Sequence, residues 1–262
     1  MSSASSDRLV LRRDEDGIAY LTLNRPDARN ALSRAMMTAL ESALTGINAD
    51  PEVRVVVLES TGPAFCAGHD LKEIRSDPGH EAYRALFAQC SRLMITILRL
   101  RQPVIAKVHG VATAAGCQLV ATCDLAVAST GARFATPGVN IGLFCSTPMV
   151  ALSRNVGRKA AMEMLLTGDM ADADAALRIG LVNRVVPAGD LDEAVAALAR
   201  QIAAKSPRVL AIGKEAFYRQ LEMGVPDAYA FASDVMVRNM MLPDAEEGID
   251  AFIEKRPAVW PR

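Results

Sequence analysis

The chain has 262 residues, of which 51% are hydrophobic, and its formal net charge is −1. This length suits one large domain, or a domain with a subdomain, built around a sizeable core. The 29 basic and 30 acidic residues form no basic stripe with interleaved aromatic residues, which argues against nucleic-acid binding. No apolar run reaches the ~18 residues that a membrane-spanning helix needs. We therefore expect neither nucleic acid nor a membrane as a partner.

The first residues and the cysteines bear on the cellular compartment. Residues 1–6, MSSASS, lack the apolar core of a signal peptide and are too short for a convincing transit peptide. We therefore expect a cytoplasmic location. The five cysteines include no Cys-x-x-Cys pair, which predicts reduced thiols rather than disulfides or a zinc site. Since the three histidines are also dispersed, we expect no metal site.

Strand and helix patterns alternate through the first half of the chain. Two strand-like runs, Leu9–Arg12 and Ile18–Leu23, are separated by a predicted hairpin turn at Asp14–Gly17. Ser33 is a suitable N-cap for a helix that extends to about Ile47. Val53–Leu58 is a nearly continuous β-branched run, which is typical of a strand covered on both faces.

Two glycine-bearing loops each follow a predicted strand. The first, Thr61–Leu71, follows Val53–Leu58, and the second, Gly110–Gly116, follows the apolar run Val104–Val108. The second loop leads into a helical pattern at Cys117–Cys123. A helix that begins in such a loop directs free N–H groups outward, so it can hold a phosphate or the oxygen anion of a reacting carbonyl. The small residues equally fit a crossover where a helix packs closely on a sheet.

Alternating strands and helices predict an α/β fold with a mainly parallel sheet. Ligands of such sheets bind beyond the carboxyl ends of the strands, so the two loops are expected to face one site. From Thr147 onward the chain is almost all helix, without a flexible linker. We divide it into a core, residues 1–190, and a C-terminal helical subdomain, residues 191–262, that serves oligomer contacts.

An ordered set of motifs resembles the crotonase superfamily, also called the enoyl-CoA hydratase/isomerase superfamily. The motifs are Asn24–Pro26 with Asn30–Leu32, Ala64–Glu73, Pro103–Ala106, Gly116–Leu125, Leu165–Gly168, Gly180–Val182 and Phe252–Arg256. Within the superfamily, the run at Ala112–Ala121 followed by Phe134–Asn140 resembles one particular branch. One motif would be weak, whereas the whole set in this order is highly specific and covers nearly the entire chain.

The resemblance implies a fold, a ligand and an assembly. The fold is a crotonase-like spiral of ββα units with a C-terminal helical region that trimerises, which gives a homotrimer or a homohexamer made of two trimers. The ligand is an acyl-CoA thioester of fatty acyl-CoA metabolism, handled by a hydratase (a lyase) or an isomerase. Coenzyme A is then part of the substrate, and no separate cofactor is expected.

The resemblance also assigns site residues. The backbone N–H groups of His69 and Ala115 would form an oxyanion hole for the thioester oxygen. Substrate-binding positions would be Arg25, Arg29, Ala67, Asp70, Leu71, Lys72, Gly116, Phe252 and Lys255. The basic members suit the phosphates of coenzyme A, and Lys255 matches a position that commonly reaches a neighbouring subunit. Each single basic residue also fits a solvated surface charge.

The chain departs from the superfamily where hydratases carry two catalytic glutamates. The matching positions are Gln118 and Gly138, and neither side chain can transfer a proton at neutral pH. General acid–base catalysis contributes typically ~10²–10⁴-fold, so standard hydratase activity is doubtful and it stays open whether the chain is an enzyme. The alternatives are a catalytically silent acyl-CoA-binding or regulatory oligomer and a malonyl-type acyl-CoA decarboxylase. Restoring both glutamates is expected to raise hydration, and restoring one is not.

Three nearby side chains could substitute for the missing glutamates. The His69 imidazole has a suitable pKa if it turns towards the acyl group. Asp70 usually supports the loop in this superfamily rather than acting in catalysis. Cys145 lies close to where related decarboxylases carry a pocket-lining tyrosine, although a buried structural cysteine is the favoured interpretation.

Overall fold

Two β-sheets and eleven helices form the protein in a computed structural model that describes residues 8–261. The strands are β1 Val10–Glu15, β2 Ile18–Leu23, β3 Val55–Ser60, β4 Ala64–Cys66, β5 Val104–Val108, β6 Val111–Thr113, β7 Leu125–Ser129, β8 Arg133–Ala135, β9 Ala171–Asp172 and β10 Arg184–Val186. The helices are α1 Arg34–Asn48, α2 Leu71–Ser76, α3 His80–Arg99, α4 Ala115–Thr122, α5 Pro148–Asn155, α6 Arg158–Thr167, α7 Ala173–Arg178, α8 Leu191–Ala203, α9 Pro207–Gln220, α10 Val225–Met240 and α11 Pro243–Ile253.

The order of the strands shows a spiral. The larger sheet has six strands in the order β1-β2-β3-β5-β7-β10, and the smaller has four in the order β4-β6-β8-β9. From β3 onward, three successive strand pairs each give one strand to the larger sheet and the next to the smaller. Helices follow each pair, and both sets of strands, β3-β5-β7 and β4-β6-β8, are parallel. These are the ββα units of the predicted crotonase-like fold.

Strand β3 is buried on both faces, as its β-branched sequence predicts. Val56 and Leu58 belong to the main core, whereas Val55 and Val57 belong to a second cluster. The second cluster includes Leu191, Val195 and Leu198 of α8, so this helix covers the other face of the larger sheet. The proposed division between residues 190 and 191 stays a prediction.

Most predicted elements are present in the structure, but its shortest strands were not predicted. Strand β5 has the predicted bounds, and the Ser33 side chain caps α1 by accepting a hydrogen bond from the Met36 N–H at 3.1 Å. The four strands of the smaller sheet were not predicted, because each has only two or three residues. Such strands are too short for the alternation that marks a strand in sequence.

The C-terminal region is helical, as predicted, and a buried polar cluster ties it to the core. The Nζ of Lys214 in α9 lies 2.7 Å from Oδ2 of Asp124, which follows α4, and the Tyr218 hydroxyl donates to Oδ1 at 2.7 Å. The next helix, α10, has no buried residue in the single chain. None of the helices in residues 8–261 is long and apolar enough to cross a membrane.

Candidate functional site

The two glycine-bearing loops lie in direct contact where β4 and β6 end. A Cβ on Gly116 would lie 2.0 Å from the carbonyl oxygen of Cys66, and a Cβ on Gly68 would lie 2.9 Å from the Cβ of Ala114. Both distances are shorter than any real contact of this kind, so only glycine fits at these two positions. The small residues of the sequence therefore allow the two backbones to meet.

Ala114 turns the chain sharply before α4. Its φ of 50° and ψ of −118° lie in a region that residues with a Cβ rarely adopt, at a cost of ~1–3 kcal/mol. Its N–H donates to the carbonyl oxygen of Ala135 at 2.9 Å, which holds the turn against strand β8. Strain of this kind is found at functional sites, where the surrounding structure enforces it.

Two backbone N–H groups at this contact have no acceptor in the described residues. Ala115 is the first residue of α4, so its N–H has no partner within the helix. In the part of the chain that the structure describes, neither this N–H nor that of His69 forms a hydrogen bond. The Ala115 nitrogen lies 3.4 Å from the position of a Cβ on Gly68, next to His69. The two donors thus lie on the two loops that the glycines bring into contact.

The imidazole of His69 lies between two neighbouring segments. Its Nδ1 is 3.3 Å from the carbonyl oxygen of Leu32, and its ring meets that of Phe87 edge to face at 5.6 Å between centroids. Its Nε2 is buried and has no hydrogen-bond partner among residues 8–261. Burial lowers the pKa of His69 below its ordinary value, and the Leu32 carbonyl and Glu73 oppose that shift. The ring is therefore neutral at pH 7.

Asp70 supports the loop structure. It caps α2 by accepting hydrogen bonds from the N–H groups of Lys72 at 3.0 Å and Glu73 at 3.2 Å. Its Oδ2 lies 2.7 Å from a guanidinium nitrogen of Arg25, and this pairing is the main reason that the pKa of Asp70 is lowered. The carboxylate is therefore held by three donors and stays ionised at neutral pH.

The positions of the two family glutamates lack carboxylates. The Gln118 side chain is buried, and its Oε1 lies 3.9 Å from the sulfur of Cys90. Gly138 is buried, and its N–H donates to the sulfur of Cys145 at 3.3 Å. Burial raises the pKa of the Cys145 thiol, so this cysteine is protonated and weakly nucleophilic at neutral pH.

The basic substrate-binding positions fall into two groups. Arg25 and Arg29 lie in the loop after β2 and Lys72 lies in the first turn of α2, and Ala67 donates its N–H to the Arg29 carbonyl oxygen at 3.0 Å. Leu71 is half exposed beside them. Lys255 and the exposed Phe252 lie at the end of α11. Within residues 8–261 of the single chain, no side-chain hydrogen bond or ion pair joins these two residues to the loops.

Sequence reasoning did not single out Leu32, Phe87 or Ala114 as parts of the site. The sequence carried a signal for Ala114 only, because it lies in the run of small residues before α4. Leu32 acts through its backbone carbonyl and Phe87 through its ring, and neither role leaves a mark in the sequence. In the described residues, no group of three or more His, Cys, Asp or Glu side chains is placed to hold a metal ion.

Comparison with known proteins finds close relatives over nearly the whole chain. It is 48% identical to rat mitochondrial enoyl-CoA hydratase domain-containing protein 3 over 256 residues, which are 98% of this chain and 85% of the relative. The crystal structure of an enoyl-CoA hydratase from Mycobacterium smegmatis has a TM-score of 0.94 and 58% identity, covering 96% of this chain and 98% of that one. The structure of human enoyl-CoA hydratase domain-containing protein 3 has a TM-score of 0.94 and 47% identity, covering 97% of this chain and 100% of that one.

The predicted cytoplasmic location is wrong by this comparison. The rat, mouse, frog and human relatives, at 47–48% identity, are all named as mitochondrial proteins, which contradicts the expected cytoplasmic location. The prediction rested on residues 1–6, which lack an apolar signal core and looked too short for a convincing transit peptide. Mitochondrial targeting segments are amphipathic and rich in Arg and Ser, so the lack of an apolar core does not argue against a mitochondrial location.

The family assignment rests on sequence and structure together. The model of the enoyl-CoA hydratase/isomerase family matches residues 13–262. The branch that the run at Ala112–Ala121 indicated is that of enoyl-CoA hydratase domain-containing protein 3, and the relatives confirm it. The solved structures confirm the crotonase-like fold. The chain belongs to the enoyl-CoA hydratase/isomerase family.

Proposed function

We propose that this protein binds an acyl-CoA thioester and holds its carbonyl oxygen with the backbone N–H groups of His69 and Ala115. The observation that carries the proposal is that both N–H groups lack an acceptor in the described residues, although they lie where two closely packed loops meet. Membership of a family named for enoyl-CoA chemistry supports the thioester as the ligand. The hole would act in fatty acyl-CoA metabolism.

Two fixed donors favour a negatively charged oxygen over a neutral one. An enolate carries a full negative charge on the former carbonyl oxygen, so the two N–H groups stabilise it more strongly than the bound thioester. The positive end of the α4 dipole lies behind Ala115 and adds to this effect. Loss of one donor from such a hole typically costs ~10²–10³-fold in rate.

The remaining parts of coenzyme A would contact the basic loop residues. Arg25, Arg29 and Lys72 would supply positive charge for its phosphates; Arg25 pairs with Asp70, and the Arg29 carbonyl oxygen accepts from Ala67 in the loop of His69. Phe252, near the end of α11, and Lys255, just beyond it, are exposed, so we propose that they complete the site of a neighbouring subunit. The assembly would be a homotrimer or homohexamer. Coenzyme A enters as part of the substrate, and we propose no separate cofactor.

A catalytically silent acyl-CoA-binding oligomer is the second candidate. The observation that favours it is the packing at Gly138, where the carbonyl oxygen of Leu143 and the sulfur of Cys145 fill the space of a side chain. Because position 118 carries an amide, neither of the two positions where hydratases of the family have a catalytic glutamate carries a carboxylate. Standard hydration is therefore not the activity that we propose.

The experiment measures how strongly the protein polarises a bound thioester carbonyl. Butanoyl-CoA labelled with ¹³C at the carbonyl is bound to the protein, and its C=O band is read by infrared difference spectroscopy. Hydrogen bonds from two N–H groups weaken the C=O bond, so we expect a shift to lower frequency. A bound thioester with an unshifted band would contradict the proposal.

The matched variants remove one backbone N–H each. Ala115→Pro deletes a donor of the proposed hole at the first helical position. Because the ψ of −118° at Ala114 is not one that usually precedes proline, near-UV circular dichroism checks that this variant keeps its fold. Ala173→Pro is the control, because Ala173 is also the first residue of its helix and both alanines are 1% exposed. We expect a smaller band shift in Ala115→Pro and an unchanged shift in Ala173→Pro.

A further inference from the structure

The imidazole of His69 has a buried nitrogen without a partner. A carbonyl oxygen only accepts hydrogen bonds, so the 3.3 Å contact with the Leu32 oxygen places the proton of the neutral ring on Nδ1. The lone pair is then on Nε2, which is buried and unpaired within the described part of the chain. Buried acceptors are nearly always satisfied, so this nitrogen calls for a donor that a ligand supplies.

The other polar side chains around the proposed hole are already engaged. Asp70 accepts from three donors, and the Cys145 sulfur accepts from the Gly138 N–H. Glu73 accepts from the backbone N–H of Arg34 at 2.9 Å. Gln118 carries an amide that does not take up a proton at neutral pH. Of these groups, His69 Nε2 is the buried atom that has no hydrogen-bond partner in the described residues.

We propose that His69 Nε2 removes a proton from Cα of the bound thioester, an inference that rests on the proposed function. Because the backbone N–H of the same residue would hold the carbonyl oxygen, the acyl Cα would lie beside this residue. Nε2 is buried in the unliganded chain, so binding of the acyl group would have to uncover it. The Cα–H electron pair forms a double bond to the carbonyl carbon, and the C=O π pair moves onto the oxygen. Return of the proton from Nε2 to Cα restores the thioester and leaves nothing consumed.

The same geometry selects among acyl groups. A malonyl-type thioester would bring a carboxylate, which is an acceptor, towards a nitrogen that presents a lone pair. The charged group acting on the ring is Glu73 of α2, which is also negative, whereas Leu32 and Phe87 carry no charge. The substrate class is therefore an acyl-CoA with an uncharged acyl chain and a hydrogen on Cα.

The test measures hydrogen exchange at Cα of butanoyl-CoA. The full-length protein is incubated with butanoyl-CoA in D₂O, and the incorporation of deuterium is followed by mass spectrometry. We expect the wild-type protein to exchange the Cα hydrogens. His69→Ala keeps the backbone N–H, so we expect it to bind butanoyl-CoA and to exchange ~10²-fold or more slowly. Free imidazole in solution is expected to restore part of the lost rate.

Controls and binding data separate this proposal from the proposed function. His80→Ala removes an exposed histidine outside the site and is expected to exchange at the wild-type rate. Butanoyl-CoA binding is measured by calorimetry in every variant. Binding without exchange in the wild type, or exchange in His69→Ala at the wild-type rate, would overturn the role of His69 and leave thioester binding intact. Absence of binding in the wild type would overturn both.

Discussion

The backbone N–H of Gly138 donates a hydrogen bond to the sulfur of Cys145 at 3.3 Å. The sulfur would lie only 2.9 Å from a Cβ on Gly138, and the carbonyl oxygen of Leu143 only 2.6 Å from it. The Leu143 N–H also donates back to the Gly138 carbonyl oxygen at 2.9 Å, which fixes this segment. The position of the second family glutamate is therefore closed by residues 143–145, rather than simply lacking a side chain.

Restoring the two glutamates is therefore expected to fail. In Gly138→Glu the new Cβ clashes with the backbone of Leu143, and overpacking of this kind costs ~1–3 kcal/mol of stability. We expect the double variant Gln118→Glu with Gly138→Glu to be less stable than wild type and to gain no hydration. This reverses the expectation from sequence alone. Denaturant unfolding measures the stability, and the mass gain of crotonyl-CoA measures the hydration.

A second glycine provides the control for this prediction. Gly46 lies within α1, and a Cβ there would have no neighbour within 4 Å. Gly46→Ala should raise stability by about 0.5–1 kcal/mol, because alanine is the better helix former. If Gly138→Glu unfolds at the wild-type denaturant concentration, segment 143–145 moves freely and the site is open to a second carboxylate.

Replacement of Ala114 by glycine should stabilise the protein. The positive φ of Ala114 costs ~1–3 kcal/mol, whereas the greater freedom of glycine in the unfolded chain costs about 0.5–1 kcal/mol. We expect Ala114→Gly to raise the free energy of unfolding by about 1 kcal/mol, measured by chemical denaturation. A loss of stability in this variant would show that the Ala114 turn is unstrained.

The sequence predicted the fold well because the signals for its main elements are local. The β-branched run before Ser60 and the cap at Ser33 act within a few residues, and the structure has both. The smaller sheet was missed because its strands are set by pairing between distant loops, such as Cys66 with Ala112. Resemblance to a family supplied the spiral, which propensity alone does not specify.

The candidate site was predictable where its chemistry depends on side-chain types. Gln118 and Gly138 could be recognised as replacements from sequence, but the closure of Gly138 could not, because it depends on where Leu143 lies. The state of the His69 ring likewise depends on its contact with the Leu32 carbonyl, 37 residues away in the chain. Roles that depend on backbone carbonyls leave no trace in residue identity.

Loss of Lys214 should destabilise the protein strongly. Its side chain is 7% exposed, and its ammonium group contacts the Asp124 carboxylate and the carbonyl oxygens of Ile97 and Gln102. Lys214→Met leaves the buried charge of Asp124 without its partner, which typically costs ~3–5 kcal/mol. The exposed Lys205 is the control, and Lys205→Met is expected to unfold like wild type in the same urea titration. Equal unfolding of both variants would show that the ion pair does not fasten α9.

The pH dependence of stability should report on His69. Because burial lowers its pKa in the folded state, the unfolded chain binds a proton more readily below the ordinary histidine pKa of about 6.5. The titration of this residue therefore costs the folded state nothing at neutral pH, and it destabilises the folded state increasingly as the pH drops through about 6.5 towards the lowered pKa. We expect His69→Gln to show a smaller loss of stability between pH 7 and 5 than wild type, measured by urea unfolding at each pH. Identical slopes would mean that the imidazole is not buried in solution.

The last prediction concerns the exposed apolar face of α10. Tyr229, Met236 and Val237 are 63–73% exposed in the single chain, and a patch of this kind on a folded protein marks an interaction site. Burial of this face between copies would provide the proposed trimer or hexamer, so wild-type protein should sediment at three or six times the chain mass. Val237→Glu places a charge on the face and is expected to shift the protein towards the single-chain mass.

Thr45→Glu, on the exposed side of α1, is the control and should sediment like wild type. A wild-type protein that sediments as a single chain at micromolar concentration would contradict the proposed assembly, and with it the proposed contribution of Lys255 to a neighbouring site.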